Sequence, residues 1–279
     1  MRIRCWGSRG QIPVSGPLYN KYGGDTTCME IRSENGDLLI IDAGSGIRAL
    51  GSKILKQEVT NINILFTHLH LDHIIGLPYF NPIYQSKYKI NIYGCPFELP
   101  SFEDALHGMM SSPYFPVDIR TVPSKIKYKD ISTRAFWVGS IKISPILLNH
   151  PNGGLGFKLQ ENNKTFVFLT DNELGIDLPG SRPIEHYINF CDGADLLIHD
   201  AEFDRGEYAR FKAWGHSNFT EAVKLGINAK VKKLGLFHIN NRRTDRQLDT
   251  MVREAKRLIA KNGSNLDCFA VGDKFEISL

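Results

Sequence analysis

"NILFTHLHLDHIIGL", residues 63–77, closes an apolar run with three histidines and an aspartate inside six positions: His68, His70, Asp72 and His73. A short apolar run bounded by polar residues reads as a buried strand. If the chain stays extended past Phe66, alternate side chains share a side, so His68, His70 and Asp72 face one way. A turn into "HIIGLPYF" would bring His73 round to the same place. Imidazole nitrogens beside a carboxylate suit zinc, manganese or iron. Clustered ionisable groups are costly without a partner, so four solvated polar residues at a strand end account poorly for this density.

One motif cannot complete two metal spheres, and the rest of the chain supplies more donors. Three other apolar runs end in a ligand-type residue: "ISPILLNH" at His150, "TFVFLTD" at Asp171 and "KKLGLFH" at His238. Each alone could be a polar residue capping a strand. Together they suggest strand ends converging on one rim. Asp42 ends "LLIID" in the same manner; it could orient a ligand or simply cap its strand.

Further strands are expected at "RIRCWG", "TCMEIRS", "DLLIIDAG", "YKINIYG", "GFKLQ", "DLLIHDAEF" and "CFAVGDKFEIS", with "QENNKT" a hairpin turn. The clearest helix is "TDRQLDTMVREAKRLIAKNG", with a Thr244–Gln247 capping box and an apolar face through Leu248, Met251, Val252, Ala255, Leu258 and Ile259. "NFTEAVKLG" repeats the device with Asn218 and Glu221. Shorter helices are expected near 46–57, 101–110 and 182–192. Strands interleaved with helices suggest layered sheets covered by helices. The segment 96–124, rich in Pro, Met and aromatics, reads either as a lid over a site or as an ordinary connecting helix.

Composition bounds the alternatives. Of 279 residues, 42% are hydrophobic, enough for a large buried core. Thirty-four basic against 30 acidic residues leave a formal charge of +4, too mild to argue for nucleic acid or an anionic membrane. Cys5, Cys28, Cys95, Cys191 and Cys268 are scattered and form no C-x-x-C pair, which reads as reduced thiols rather than a disulfide framework. "MRIRCWGSRG" lacks the apolar stretch of a signal peptide, and no run approaches the ~20 apolar residues of a membrane span. A cytoplasmic protein without membrane contact is the expectation.

His-x-His-x-Asp-His after a strand, with strand-end His, Asp and His later in the chain, resembles the metallo-β-lactamase-fold metallohydrolases, over nearly the whole chain. "WGSRGQIPV…YGGDTTCMEI", "LLIIDAGSGIR" and "HDAEF" with "GHS" after it resemble the tRNase Z and cyclic-phosphodiesterase branch of that family. The resemblance implies one domain over 1–279, a four-layer αβ/βα sandwich of two facing mixed sheets. It implies two divalent metal ions, zinc foremost and manganese or iron as alternatives. His68, His70 and His150 would hold one, Asp72, His73 and His238 the other, with Asp171 shared. Asp72, Asp200 and His216 would be the catalytic set, Asp200 and His216 serving as proton donor pair. One departure stands out: relatives usually carry a second His and an Asp-Pro after the last ligand, where this chain has Ile239 and Asn240.

The implied activity is hydrolysis of a cyclic nucleotide or related small phosphodiester by metal-activated water. The alternatives are a tRNA 3′-processing nuclease, for which the expected long Gly/Pro-rich arm and basic stripe are missing, and a β-lactamase or thioester hydrolase. A non-enzymatic binding protein on the same fold is disfavoured by the intact ligand set. Arg9 and Arg48, in glycine-rich loops, could fork onto a phosphate or be solvated surface residues; Tyr114 and Phe115 could stack on a base. A homodimer is expected by analogy.

Overall fold

The computed structural model describes residues 1–97, 99–177 and 179–279. Fourteen strands form two seven-stranded sheets. They are β1 (Arg2–Gly7), β2 (Cys28–Arg32), β3 (Leu38–Ile41), β4 (Asn61–Leu65), β5 (Lys89–Gly94), β6 (Lys125–Asp130), β7 (Phe136–Val138), β8 (Ile141–Leu147), β9 (Leu155–Glu161), β10 (Lys164–Leu169), β11 (Leu196–Asp200), β12 (Lys233–Phe237), β13 (Asp267–Ala270) and β14 (Glu276–Ser278). The helices are α1 (Ile47–Ile54), α2 (Leu71–Ile74), α3 (Phe102–Met109), α4 (Ile184–Cys191), α5 (Arg205–Tyr208), α6 (Phe219–Asn228) and α7 (Asp245–Lys261).

The first sheet runs β14-β1-β2-β3-β4-β5-β6 and the second β13-β12-β11-β10-β9-β8-β7. In each, the pairs through the middle strand on one side are antiparallel and those on the other side parallel. The two halves of the chain thus repeat one plan.

The strand sequences explain the layering. Leu39 and Ile41 of β3 face the second sheet, while Leu38 and Ile40 face helix α1. Phe166 and Phe168 of β10 point to the inter-sheet core; Val167 and Leu169 point outward to α4, α6 and α7. Strands buried on both faces read as unbroken apolar runs, as parallel strands covered by helices do. The result is the expected four layers, helix–sheet–sheet–helix. Among the described residues no helix is long and apolar enough to cross a membrane.

The capping box of α7 forms as expected: Thr244 and Gln247 each bond the other's backbone N–H. On α6, Asn218 accepts from the N–H groups of Thr220 and Glu221, but Glu221 turns to the Lys224 ammonium at 2.9 Å. Three strand expectations needed correction. β6, with Lys125, Lys127 and Lys129, is an edge strand too charged to show as an apolar run. β7 is too short to signal itself. "CFAVGDKFEIS" splits: β13 pairs with β12 in the second sheet, β14 with β1 in the first.

Segment 96–124 contains α3, whose Phe102 and Leu106 are buried with Met110 and Ile119 in the outer core of the first sheet. Residue 98 of this segment lies outside the described residues.

Candidate metal centre and proton-donor pair

Parallel strands in register end together, so the residues just past their ends share one rim. Ile41 pairs with Leu65, Leu169 with His199, and Asp200 with Phe237. Asp42, His68, Asp171, Asp200 and His238 therefore emerge side by side. Three of them, Asp42, Asp171 and His238, hold left-handed backbone conformations, with φ of 62°, 52° and 54°. Such residues cost about 1–3 kcal/mol each and persist where the surroundings demand them.

The extended run ends sooner than the spacing suggested. His70 is the N-cap of α2, so only His68 and His70 project from extended chain, and Asp72 and His73 arrive from the helix's single turn. That turn divides the motif into two groups. Donor atoms of His68, His70, His150 and Asp171 all lie within 4.8 Å of one another, as do those of Asp72, His73 and His238. Asp171 faces both: its carboxylate is 3.3 Å from His73 Nε2, 3.3 Å from His238 Nε2 and 3.7 Å from His68 Nε2.

Partners behind the rings fix their orientation. Asp42 Oδ2 meets His73 Nδ1 at 2.8 Å, while both its oxygens accept from Thr67. His150 Nδ1 donates to the Gly215 carbonyl at 3.1 Å, and His238 Nδ1 to Glu202 Oε2 at 3.1 Å. The far nitrogens point inward. His68 Nε2 and His73 Nε2 are buried without a hydrogen-bond partner, and His150 Nε2 faces His70 Nδ1 at 3.0 Å.

The electrostatics divide the same way. Burial lowers the pKa of His68 and His70 and takes His150 down to about 4, which disfavours charge on all three. Burial also opposes charge on His73 and His238, but Asp171, Asp72 and Asp42 around the first, and Asp171, Asp72 and Glu202 around the second, raise both above the usual range. Among the described residues, Asp42, Asp72, Asp171, Asp200 and Glu202 have ion-pair partners only among histidines. Buried carboxylates in this number need positive charge, and orphaned ring nitrogens need a Lewis acid. The donor set fits two divalent cations on both counts.

Next to this cluster, His216 Nδ1 lies 2.7 Å from Asp200 Oδ2. Burial alone would lower the His216 pKa, but Asp200 and then Glu202 outweigh it and raise it to about 9. The other Asp200 oxygen accepts from the backbone N–H of Glu202 and Ser217, which holds the carboxylate in place. His216 also stacks on His238, their ring centroids 4.8 Å apart.

A family model described as a beta-lactamase superfamily domain matches residues 38–239. The chain belongs to the beta-lactamase superfamily. It is a metal-dependent hydrolase of the metallo-β-lactamase fold. Superfamily relatives include Ribonuclease Z of Metallosphaera sedula, 26% identical, covering 79% of this chain and 84% of that protein. Ribonuclease Z of Sulfolobus acidocaldarius is also 26% identical, over 90% of this chain and 93% of its own. Among solved structures, the metallo-β-lactamase-fold protein YhfI of Bacillus subtilis aligns with TM-score 0.72 at 16% identity, over 99% of this chain and 98% of that one. Human tRNase Z, short form, aligns with TM-score 0.67 at 20% identity, over 100% of this chain and 99% of that one.

Of the expected substrate contacts, Arg9 departs from its expectation. Arg9 is neither solvated nor open to a phosphate. It is fully buried, and its guanidinium donates to the carbonyls of Gly23 and Arg243, bracing the N-terminal loop against the turn before α7. Arg48 is exposed on α1. Tyr114 is exposed, and Phe115 packs edge-on against Tyr79.

Sequence reasoning misses Glu202. Fully buried, it accepts from His238 Nδ1, from Asn240 Nδ2 at 2.9 Å and from Gln11 Nε2, and it lies 3.4 Å from His216 Nδ1. Its one signal is an acid two residues past Asp200 in "HDAEF". Asn240, at the departure from the usual pattern, closes this network.

Proposed function

We propose that the protein is a dinuclear phosphodiesterase in which His68, His70 and His150 hold one divalent cation, Asp72, His73 and His238 a second, and Asp171 both. The observation that carries this reading is the placing of Asp171 between two donor groups, with the Asp200–His216 pair beside them. When bound, two such cations polarise phosphoryl oxygens and lower the pKa of water.

The chain's own residues do the rest. Asp42 and Glu202 keep His73 and His238 aimed at the centre and set which ring nitrogen carries the proton. Asp200 holds His216 by Nδ1, which leaves Nε2 to give a proton to the departing alkoxide. Gln11 N–H, 2.7 Å from Asp72 Oδ2, fixes that carboxylate against rotation.

A small phosphodiester is the first reading of substrate. A cavity of about 510 Å3 opens beside His150, within the size range of sites for small ligands. RNA is the second reading, supported by the curated relatives named Ribonuclease Z. Turnover of bis(p-nitrophenyl) phosphate tests the chemistry. Cyclic nucleotides and a tRNA precursor separate the two substrates. Hydrolysis of nitrocefin with no phosphodiester turned over would overturn the proposal.

A further inference from the structure

The cavity beside His150 is not isolated. A second cavity, of about 530 Å3, shares Leu147 and Arg182 with it and adds Lys158 and His186 to the wall. Arg182 is the only charged side chain common to the described linings of both.

Its backbone is tied to the active rim. Asn149, the residue before His150, accepts from the Arg182 N–H at 2.8 Å and donates to the Arg182 carbonyl at 3.0 Å. The guanidinium itself has no ion-pair or hydrogen-bond partner among the described residues. Glu173 is the one carboxylate among the described residues lining the first cavity, and it is committed. Tyr208 Oη and the Ala213 N–H donate to its Oε1, and the Gly215 N–H to its Oε2. No carboxylate lines the second cavity among the described residues, where the Lys158 ammonium sits 4.5 Å from the Phe190 ring centroid. Positive side chains, with no uncommitted carboxylate among the described lining residues, thus lead away from the donor cluster, and Asp192 acts on Lys158 only from outside the lining.

An unpaired guanidinium on a fixed backbone is suited to bidentate contact with phosphate, and a lysine behind it adds a point charge. We propose that Arg182, backed by Lys158, forms an anion subsite for a second phosphate flanking the one that is cleaved. This rests on the phosphodiesterase reading and narrows it. The substrate class becomes a nucleotide bearing two phosphates, as a dinucleotide or an RNA end does; a cyclic mononucleotide leaves the subsite empty.

Calorimetry on zinc-loaded protein tests this without turnover. The wild type is expected to bind uridine 3′,5′-bisphosphate about tenfold more tightly than uridine 5′-monophosphate. In Arg182→Gln that ratio falls towards one, Lys158→Gln loses part of it, and Arg182→Lys restores part. Thermal unfolding of each variant monitors folding. Equal wild-type affinities, or a ratio unchanged in a folded Arg182→Gln, would overturn the subsite. A 5′-phosphorylated tetrauridylate with cleavage-resistant phosphorothioate linkages distinguishes the sources: affinity beyond that of the bisphosphate identifies an RNA chain, and equal affinity a small dinucleotide. Failure of the phosphodiesterase reading shows separately, as absence of bis(p-nitrophenyl) phosphate hydrolysis.

Discussion

Replacing Glu202 by Gln changes one atom and should disable the centre without touching a proposed ligand. The carboxylate takes hydrogens from His238 Nδ1 at 3.1 Å on one oxygen, and from Asn240 Nδ2 and Gln11 Nε2 on the other. An amide offers only one oxygen. If that oxygen keeps His238, the amide NH2 faces two donors. If the amide flips, it turns the NH2 on His238. Either way at least one donor loses its partner, so a loss of about 1–3 kcal/mol in stability is expected. The ring of His238 also loses its orienting anion, and such losses lower metal affinity by roughly 10–100-fold. Zinc affinity from competition with a chromophoric chelator, together with urea unfolding of the metal-free protein, reads both numbers. Zinc affinity and unfolding midpoint both unchanged in Glu202→Gln would refute the role given to this network.

Three further outcomes are expected. His216→Ala should slow phosphodiesters with alkyl leaving groups more than p-nitrophenyl esters, as loss of a proton donor requires; equal losses on both would remove that role. At Gly10 an added Cβ would lie 2.3 Å from the His238 ring, so Gly10→Ala should cost at least about tenfold in zinc affinity while leaving the circular dichroism spectrum intact; undiminished affinity would show that the ring is not held where the loop puts it. Asp273, half-buried near Asp25 with one oxygen unpartnered, has its pKa pushed up to about 7 by desolvation and then by Asp25. An acid whose folded pKa lies above its unfolded value favours the fold at low pH, so its contribution declines as pH rises from about 4 to about 7, by up to ~4 kcal/mol. Asp273→Asn should therefore gain stability over the wild type progressively across that window; parallel stability–pH curves would count against it.

His68, His150, Asp171 and His238 were legible because each follows an apolar run, and strands that run the same way end on the same rim. His150 and His238, 88 residues apart, share the rim because β8, two antiparallel steps from β10, runs in the same direction as β12. What stayed hidden was hidden for physical reasons. The single turn of α2 is shorter than any periodicity can register, so the sorting of Asp72 and His73 away from His68 could not be read from spacing. Glu202 looked like an ordinary acid because its partners, Gln11 and Asn240, come from opposite ends of the chain. Arg9 looked like a loop arginine because sequence carries no sign of burial. The backbone carbonyls of Gly23 and Arg243 and the Asp245 carboxylate 3.9 Å away, which only the fold brings together, hold its charge. β6 was masked by its lysines, the very feature that protects an exposed sheet edge.

The most direct measurement is metal stoichiometry by native mass spectrometry after zinc loading and desalting, on the wild type and on Asp171→Ala. Two ions per chain are expected in the wild type, and fewer than two in a folded Asp171→Ala. A wild-type chain that retains none or one, or an Asp171→Ala chain that still retains two, would contradict the claim that one shared carboxylate ties two histidine-rich groups into a dinuclear centre.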